Sequence, residues 1–239
     1  MLKVDLQGGF GEKGRTSIAV SDGKTRVMLD AGIKVGATGN EYYPKLARPV
    51  TEIDALFISH AHEDHIGALC RMIRQGYTGP IYMTAETRTE MPATLAQYAD
   101  PTELRDFQPP EAQIRLFEPG ETVSVNALGI ETGASGHVVG GVWFSVEGAG
   151  RRVVYTADIV PESAVFPMDP LPSCDLLVLD ASYGADPIPG AERARRIAKW
   201  VADYADGCLL PTPLSGRSLE LIAAIDVPFA IEAGMREAL

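Results

Sequence analysis

Cysteine and long apolar runs are scarce in this sequence, and each shortage narrows the class of protein. The 239 residues include three widely separated cysteines, Cys70, Cys174 and Cys208, which argues against a disulfide framework. No apolar run approaches the roughly 20 residues of a membrane span. The segment Met1–Gln7 lacks the basic-then-apolar profile of a signal peptide. We therefore expect a cytoplasmic protein with reduced thiols and no membrane partner.

Positive charge is also in short supply. The chain has 21 lysines and arginines against 32 aspartates and glutamates, which gives a formal net charge of −11. A protein that coats nucleic acid without sequence preference usually has a basic surface. Any polyanionic substrate must therefore be held by a local positive feature, and a pair of bound metal ions would be such a feature.

The first part of the chain reads as short strands separated by turns. The stretch Gly8–Gly14 has too much glycine for the interior of a strand or helix. It lacks the Gly-Lys-Ser/Thr ending of a phosphate loop and leads into a strand, so we interpret it as a hairpin turn near the site. The predicted elements here are strands Lys3–Leu6, Thr16–Val20, Arg26–Leu29 and Ala55–Ile58, and a helix over Glu86–Tyr98.

The pattern changes twice further along. Residues 114–158 are rich in strand-like runs, and an alternation of strands and helices with short connections follows. The change near Asp180 suggests two modules, residues 1–180 and residues 181–239. The last part is predicted to contain strands Leu176–Leu179, Cys208–Leu210 and Pro228–Ile231, and helices Glu192–Tyr204 and Ser218–Ala224.

Histidine is scarce in this sequence, and it is concentrated in one place. Of four histidines, three are His60, His62 and His65, so chance clustering on a polar surface is a weak explanation. Alternate residues of an extended segment point to the same side, so His60 and His62 can converge on one ion. Asp64 and His65 follow where the chain enters a helix, and can reach a second ion. Imidazole and carboxylate are ligands that zinc accepts in catalytic sites.

Two more residues could complete this cluster. His137 has glycines on both sides, which let the backbone approach a site closely; alone, it could equally be a solvated loop histidine. Asp158 ends a predicted strand, where its carboxylate could bridge two ions. A strand-end aspartate is also a common turn residue, so both interpretations stay open from spacing alone.

With these motifs, the sequence resembles the metallo-β-lactamase superfamily and, within it, the β-CASP nucleases. The stretch His60–Gly67 is similar to the metal motif of the superfamily. The resemblance implies an α/β fold, a four-layer αβ/βα sandwich with two mixed β-sheets, and β-CASP character in residues 181–239. Similar stretches are Gly8–Gly14 with His62–Ala68 (ribonuclease J), Gly79–Thr87 (cleavage-factor-like members), Leu179–Gly184 (the acidic entry into the β-CASP insertion) and Leu209–Arg217 (its next strand and helix).

The resemblance also implies roles for individual residues. His60, His62 and His137 would bind a first zinc ion, Asp64 and His65 a second, and Asp158 would bridge them. Two zinc ions are expected, the second held weakly, with manganese as a further candidate. Asp30 would orient the ligand loop without binding metal itself. Asp64 and Asp180 are the candidate catalytic residues.

Two features depart from the family pattern. Ala157 stands where glycine is usual, and no histidine follows His137, although family members have two later ones. We expect from this that the chain is a fragment ending inside the β-CASP portion.

The leading functional hypothesis is a di-zinc phosphodiesterase that cleaves RNA, in preference to DNA, with a metal-bound hydroxide attacking phosphorus. One alternative is a small-molecule hydrolase of the same superfamily, acting on a thioester, lactone or amide, which the acidic charge favours. The other is a catalytically silent subunit or scaffold with an incomplete metal site.

Overall fold

Two mixed β-sheets form the framework of the molecule. The computed structural model of the chain describes residues 1–105, 107, 108, 110–204, 206–213 and 216–238. The first sheet has the strand order β1-β2-β3-β4-β5-β6 and the second has the order β11-β10-β9-β8-β7. The first sheet comprises β1 (Lys3–Gly8), β2 (Ser17–Ser21), β3 (Arg26–Leu29), β4 (Ala55–Phe57), β5 (Ile81–Met83) and β6 (Ile114–Leu116); the second comprises β7 (Thr122–Val125), β8 (Leu128–Ala134), β9 (Val142–Gly148), β10 (Arg151–Tyr155) and β11 (Leu176–Val178).

Parallel and antiparallel pairs occur in both sheets. Strands β1, β2 and β3 pair antiparallel, whereas β3 to β6 run parallel. In the second sheet, β7 to β10 form an antiparallel meander and β11 joins β10 in parallel. The predicted α/β fold with two mixed sheets is therefore confirmed.

Seven α-helices accompany the sheets in the described part of the chain. The parallel strands of the first sheet need crossovers, and the first four helices lie in or near these connections. None of the described helices combines the length and hydropathy that crossing a bilayer requires. The helices are α1 (Glu63–Ile66), α2 (Leu69–Arg74), α3 (Ala85–Tyr98), α4 (Pro101–Leu104), α5 (Gly190–Asp203), α6 (Arg217–Ala224) and α7 (Ala233–Ala238).

Side-chain alternation along the strands builds two cores. Met28 and Leu56 point to the helical side, where they pack with apolar residues of α2 and α3. Val27, Leu29 and Phe57 point the other way, into the space between the sheets. The ring of Phe57 lies 5.7 Å from that of Phe144 in the second sheet, edge to face. Each fully buried side chain of this size contributes about 1.5–3 kcal/mol.

The outer face of the second sheet is covered by a loop near its centre. Trp143 is buried, and its indole nitrogen donates to the carbonyl of Asp169 over 3.2 Å. Gly133 makes room for that ring, since a Cβ there would lie 2.1 Å from it. Helices α5 and α6 pack against each other.

The predicted strands of the C-terminal part need correction. Leu176–Leu179 forms β11 over Leu176–Val178, but as an edge strand with Leu176 and Leu177 about half exposed. Cys208–Leu210 and Pro228–Ile231 are not strands. Leu209 is 87% exposed. An apolar run becomes a buried strand only where a neighbouring strand supplies backbone hydrogen-bond partners, and no described strand pairs with this segment.

Candidate metal centre

The candidate site lies at one edge of the sandwich, beyond the carboxyl ends of four strands. Asp30 follows β3, and the segment from His60 to His65 follows the parallel neighbour β4. His137 follows β8 and Asp158 follows β10, and these two strands run in the same direction because each is antiparallel to β9. Carboxyl ends of strands are common ligand-binding positions in α/β proteins.

The structure brings four side chains together into one cluster: His60, His62, His137 and Asp158. One ligand atom from each lies within 4.8 Å of the others. His60 Nε2 is 3.1 Å from His62 Nδ1, which is 3.3 Å from His137 Nε2, and that atom is 3.5 Å from Asp158 Oδ2. With zinc–nitrogen bonds of 2.0–2.1 Å, the edges of a tetrahedral site are about 3.3–3.4 Å long. The spacing of the cluster fits a single small cation.

The protonation of the three imidazoles also fits a cation. Burial lowers the pKa of His60 well below its usual value and lowers that of His62. Burial lowers the pKa of His137 to about 4, although the Asp158 carboxylate opposes the shift. Neutral imidazole is the metal-binding form. His62 Nδ1 faces two other ring nitrogens, and one N–H can satisfy only one of them; a cation satisfies all three.

A second group of ligand atoms adjoins the first. His65 Nε2 lies 3.2 Å from Asp158 Oδ1 and 3.9 Å from Asp64 Oδ1. This nitrogen is buried and makes no aligned hydrogen bond, as expected of an atom that is directed at a metal. Because the other oxygen of Asp158 faces His137, the Asp158 carboxylate has the geometry of a bridge between two ions.

Charge pairing stabilises this second group. Burial opposes a charge on His65, but the carboxylates of Asp30 and Asp158 outweigh burial and raise the His65 pKa well above its usual value. Burial would raise the pKa of Asp158, but His65 and the other histidines lower it well below its usual range. A cation at this position would require Nε2 of His65 to be unprotonated.

Asp30 anchors the cluster from behind. This buried residue adopts a left-handed backbone, with a φ of 61°. Its carboxylate accepts hydrogen bonds from Ser59 N (2.7 Å), Ser59 Oγ (2.8 Å), His65 Nδ1 (2.8 Å) and the Tyr155 hydroxyl (2.7 Å). Since Nδ1 of His65 is held by Asp30, Nε2 is left to face the metal position.

Sequence reasoning missed two members of this network. Ser59 lies directly before the motif and links Asp30 to the loop through two hydrogen bonds. Tyr155 ends strand β10 after two valines, and its buried hydroxyl needs a hydrogen-bond partner. Burial, together with the Asp30 carboxylate, raises the Tyr155 pKa well above its usual value. A lone tyrosine in such a strand is the one signal that could have indicated this contact.

The glycine-rich turn between β1 and β2 borders the cluster. It lines a cavity of about 900 Å³ together with Asp64, His137 and Asp158. The turn is tied to the metal loop, because Thr16 N donates to the carbonyl of Asp64 over 2.8 Å. Gly32 permits this close approach, since a Cβ at this position would lie 1.6 Å from that same carbonyl oxygen.

Asp180 lines the same cavity but has a different set of partners. Its Oδ1 accepts hydrogen bonds from Ser182 N (2.8 Å) and Ser182 Oγ (2.5 Å), which is the pattern of an aspartate turn. Its backbone N–H donates to Thr156 Oγ1 over 2.9 Å. A catalytic role for Asp180 stays a prediction.

Comparison with known proteins agrees with this geometry. The sequence profile of the metallo-beta-lactamase superfamily matches residues 11–202. The chain belongs to the metallo-β-lactamase superfamily. A solved structure of a protein of unknown function from Enterococcus faecalis V583 has a similar fold, with a TM-score of 0.52 and 18% identity, over 65% of this chain and 43% of that one.

Several curated relatives are more similar in sequence. Ribonuclease TTHA0252 of Thermus thermophilus is 32% identical over 84% of this chain and 49% of its own length. Transcription termination factor FttA of Methanocaldococcus jannaschii is 28% identical over 94% of this chain and 39% of its own. Cleavage and polyadenylation specificity factor 73 of Drosophila melanogaster is 29% identical over 95% of this chain and 36% of its own. The chain thus spans half or less of these relatives, and the resemblance to β-CASP nucleases is confirmed.

The structure explains one departure from the superfamily pattern. Ala157, next to Asp158, has a φ of 48°. Glycine adopts this left-handed conformation freely, whereas it costs other residues about 1–2 kcal/mol. The usual glycine avoids strain at this position, and alanine is the smallest residue that can replace it.

Proposed function

We propose that this chain carries the di-zinc centre of a phosphodiesterase that cleaves RNA. The observation that carries the proposal is the continuous cluster in which Asp158 faces His137 with one carboxylate oxygen and His65 with the other. Binding of a divalent metal is supported by the superfamily and by the His/Asp cluster. Zinc is the proposed metal because the donors are imidazole and carboxylate, with manganese as a second candidate.

The residues present suit two ions. The first ion would be held by His60, His62 and His137, and the second by Asp64 and His65. Asp158 would bind both ions. When bound, such a pair lowers the pKa of a coordinated water and offsets the negative charge of a phosphodiester. The second position draws on three protein side chains and, with one ligand fewer than the first, is proposed to bind more weakly.

The protein side chains would supply orientation. The carboxylate of Asp64 lines the cavity beside the cluster and is placed to accept a hydrogen bond from the attacking water. Asp30 fixes the ring of His65 through a 2.8 Å hydrogen bond, which preorganises the second position. Asp180 is the second proposed catalytic residue, because it lines the same cavity just after the end of β11.

The relatives support RNA as the substrate. The names of the curated relatives include a ribonuclease, an endoribonuclease and a cleavage and polyadenylation specificity factor. A small-molecule ester or thioester is the second candidate, favoured by the net charge of −11. The cytoplasmic location expected from the sequence stays a prediction.

Metal content and RNA cleavage test the proposal together. We expect freshly purified chain to hold more than one equivalent of zinc by mass spectrometry and Asp158→Asn to hold less. The control is Asp22→Asn, the same change at the β2–β3 turn, where Asp22 accepts from the backbone of Lys24 and Thr25 over 2.8 Å. Cleavage of single-stranded RNA should stop with a chelator and return with zinc.

Three outcomes would contradict parts of this proposal. Zinc-loaded chain that hydrolyses a thioester or lactone but leaves RNA intact would favour the small-molecule alternative. Less than one zinc per chain would favour a catalytically silent subunit. Equal zinc content in Asp158→Asn and Asp22→Asn would remove Asp158 from the metal centre.

A further inference from the structure

Two cationic side chains line the cavity beside the candidate metal centre. Lys13 and Arg217 are exposed and both border this cavity. Among the described residues neither of them forms an ion pair. Neighbouring cations differ from these two, because Glu12 forms ion pairs with Arg15 at 2.6 Å and with Lys34 at 2.7 Å. In a chain with a net charge of −11, two unneutralised cations at one cavity call for a ligand.

Arg217 is held beside the metal loop by close packing. It is the first residue of α6, directly after Gly216. A Cβ on Gly216 would lie 3.0 Å from a methyl group of Val138 and 3.1 Å from the carbonyl oxygen of His137. The start of α6 therefore rests on the loop that carries His137, and the Arg217 guanidinium reaches the cavity from there.

Tyr183 fixes the direction of that guanidinium. Arg217 donates a hydrogen bond to the Tyr183 hydroxyl, and its guanidinium carbon lies 5.8 Å from the ring centroid. A second arginine, Arg193, lies 4.6 Å from the same centroid but is neutralised by Asp186 at 2.7 Å. Arg217 is thus the cation of this group that is available to an anion.

The tyrosine itself belongs to a fixed turn. Asp180 holds the turn with its hydrogen bonds to Ser182, and Thr156 Oγ1 accepts from Asp180 N. Thr156 lies two residues before Asp158, so the turn is anchored to the strand end that carries the bridging carboxylate. Tyr183 remains 51% exposed, which leaves ring surface free to meet a ligand.

We propose that Lys13 and Arg217 bind the phosphates that flank the scissile phosphodiester, and that Tyr183 offers its ring to a neighbouring base. This inference rests on the proposed function and adds the substrate-binding surface of the same cavity. A guanidinium binds phosphate through two parallel hydrogen bonds, and stacking on an aromatic ring accepts any base. The expected ligand is therefore single-stranded RNA bound without sequence preference.

Salt dependence gives the size of the expected effect. For a single strand, log K changes with log salt by about −0.7 for each phosphate contact. Losing one contact at about 0.1 M salt should therefore weaken binding about five-fold, and losing two about 25-fold. The slope itself should fall by about 0.7 for each cation removed.

Fluorescence anisotropy of the full chain with a labelled single-stranded RNA, in the presence of a chelator that stops cleavage, measures binding independently of cleavage. The variants are Lys13→Gln, Arg217→Gln, their combination and Arg217→Lys, which keeps the charge but loses the two-bond contact. The control is Lys24→Gln, an exposed lysine in the turn between β2 and β3. Circular dichroism checks that each variant is folded.

We expect the predicted losses of affinity and slope in the cavity variants, a partial loss in Arg217→Lys and no change in Lys24→Gln. Tyr183→Phe should bind better than Tyr183→Leu if the ring stacks on a base. Cavity variants that bind RNA like Lys24→Gln, or a wild-type chain that does not bind RNA, would overturn the inference. The two proposals can fail separately. If the cavity variants bind RNA more weakly as expected but zinc-loaded wild type does not cleave RNA, the binding site is supported and the proposed cleavage is overturned.

Discussion

Asp30→Asn is the sharpest test of how the metal centre is held. Oδ2 of Asp30 accepts hydrogen bonds from Ser59 Oγ, His65 Nδ1 and the Tyr155 hydroxyl, while Oδ1 accepts one from Ser59 N. Asparagine has the same shape but replaces one acceptor with a donor. If its oxygen takes the Oδ2 position, its NH₂ group meets the Ser59 N–H, which the structure places 2.7 Å from Oδ1. One amide hydrogen and one backbone N–H are then left without an acceptor.

The expected cost follows from these contacts. Three hydrogen bonds change from charged to neutral acceptors, at about 1 kcal/mol each, and an unsatisfied buried N–H costs about 1–3 kcal/mol. Asparagine avoids the desolvation of a buried carboxylate, which offsets part of this sum. We expect a net loss of about 2–4 kcal/mol in the free energy of unfolding. Because Asp30 orients His65, zinc affinity should fall about 10–100-fold.

Urea denaturation of the metal-free chain gives the first quantity, and competition with a chromophoric chelator gives the second. Asp22→Asn is the control, since it makes the same change at an exposed turn. Tyr155→Phe is a milder variant that removes one donor and leaves the carboxylate with three, so about 1–2 kcal/mol is expected. The reasoning is refuted if Asp30→Asn and Asp22→Asn have equal stability and equal zinc affinity. A loss of stability with unchanged zinc affinity would reduce Asp30 to a structural residue.

Two further predictions concern the turn beside the site. Gly32→Ala places a methyl group 1.6 Å from the carbonyl oxygen of Asp64 and should lower the free energy of unfolding by about 3 kcal/mol or more. The control is Gly190→Ala, whose methyl group meets nothing within 4 Å. In urea denaturation this control should gain up to about 1 kcal/mol. Hydrogen bonds from Arg15 and Lys34 lower the pKa of Glu12 from 4.5 to about 2. The folded state therefore gains stability above pH 4.5 that it loses as the pH falls to about 2. Glu12→Gln should be less stable than wild type by about 1–2 kcal/mol at neutral pH after solvent screening, and a gap that does not narrow below pH 4.5 would contradict this.

The local pattern of apolar residues was enough to predict some of the helices and strands. The apolar run Ala55–Ile58 corresponds to β4, and the helix expected over Glu86–Tyr98 is observed as α3. The predicted strand Cys208–Leu210 is wrong because periodicity reports what a segment could bury and not whether a partner strand lies next to it. The division into residues 1–180 and 181–239 stays a prediction.

The candidate site divides in the same way. His60, His62, Asp64 and His65 follow one another, so spacing alone could suggest a metal motif. Asp30, His137 and Asp158 join it through contacts between distant parts of the chain, and only the resemblance to a family indicated their roles. The contact of Tyr183 with Arg217 spans 34 residues and leaves no periodic signal. Contacts of this kind depend on how the two sheets are placed against each other, which no local pattern encodes.

The acidic net charge and an RNA substrate are compatible for a reason that the structure supplies. At about 0.1 M salt the Debye length is about 10 Å, so carboxylates on remote surfaces add little to the potential in the cavity. Inside the cavity, Glu12 is paired with Arg15 and Lys34, and the proposed metal ions would offset the carboxylates of Asp64 and Asp158. Lys13 and Arg217 line the same cavity and form no ion pair among the described residues. Two phosphate contacts predict a salt slope of only about −1.4 for single-stranded RNA. Under the proposed function, binding should therefore be modest and weakly salt-dependent, because the proposed metal centre, and not a basic surface, would hold the strand.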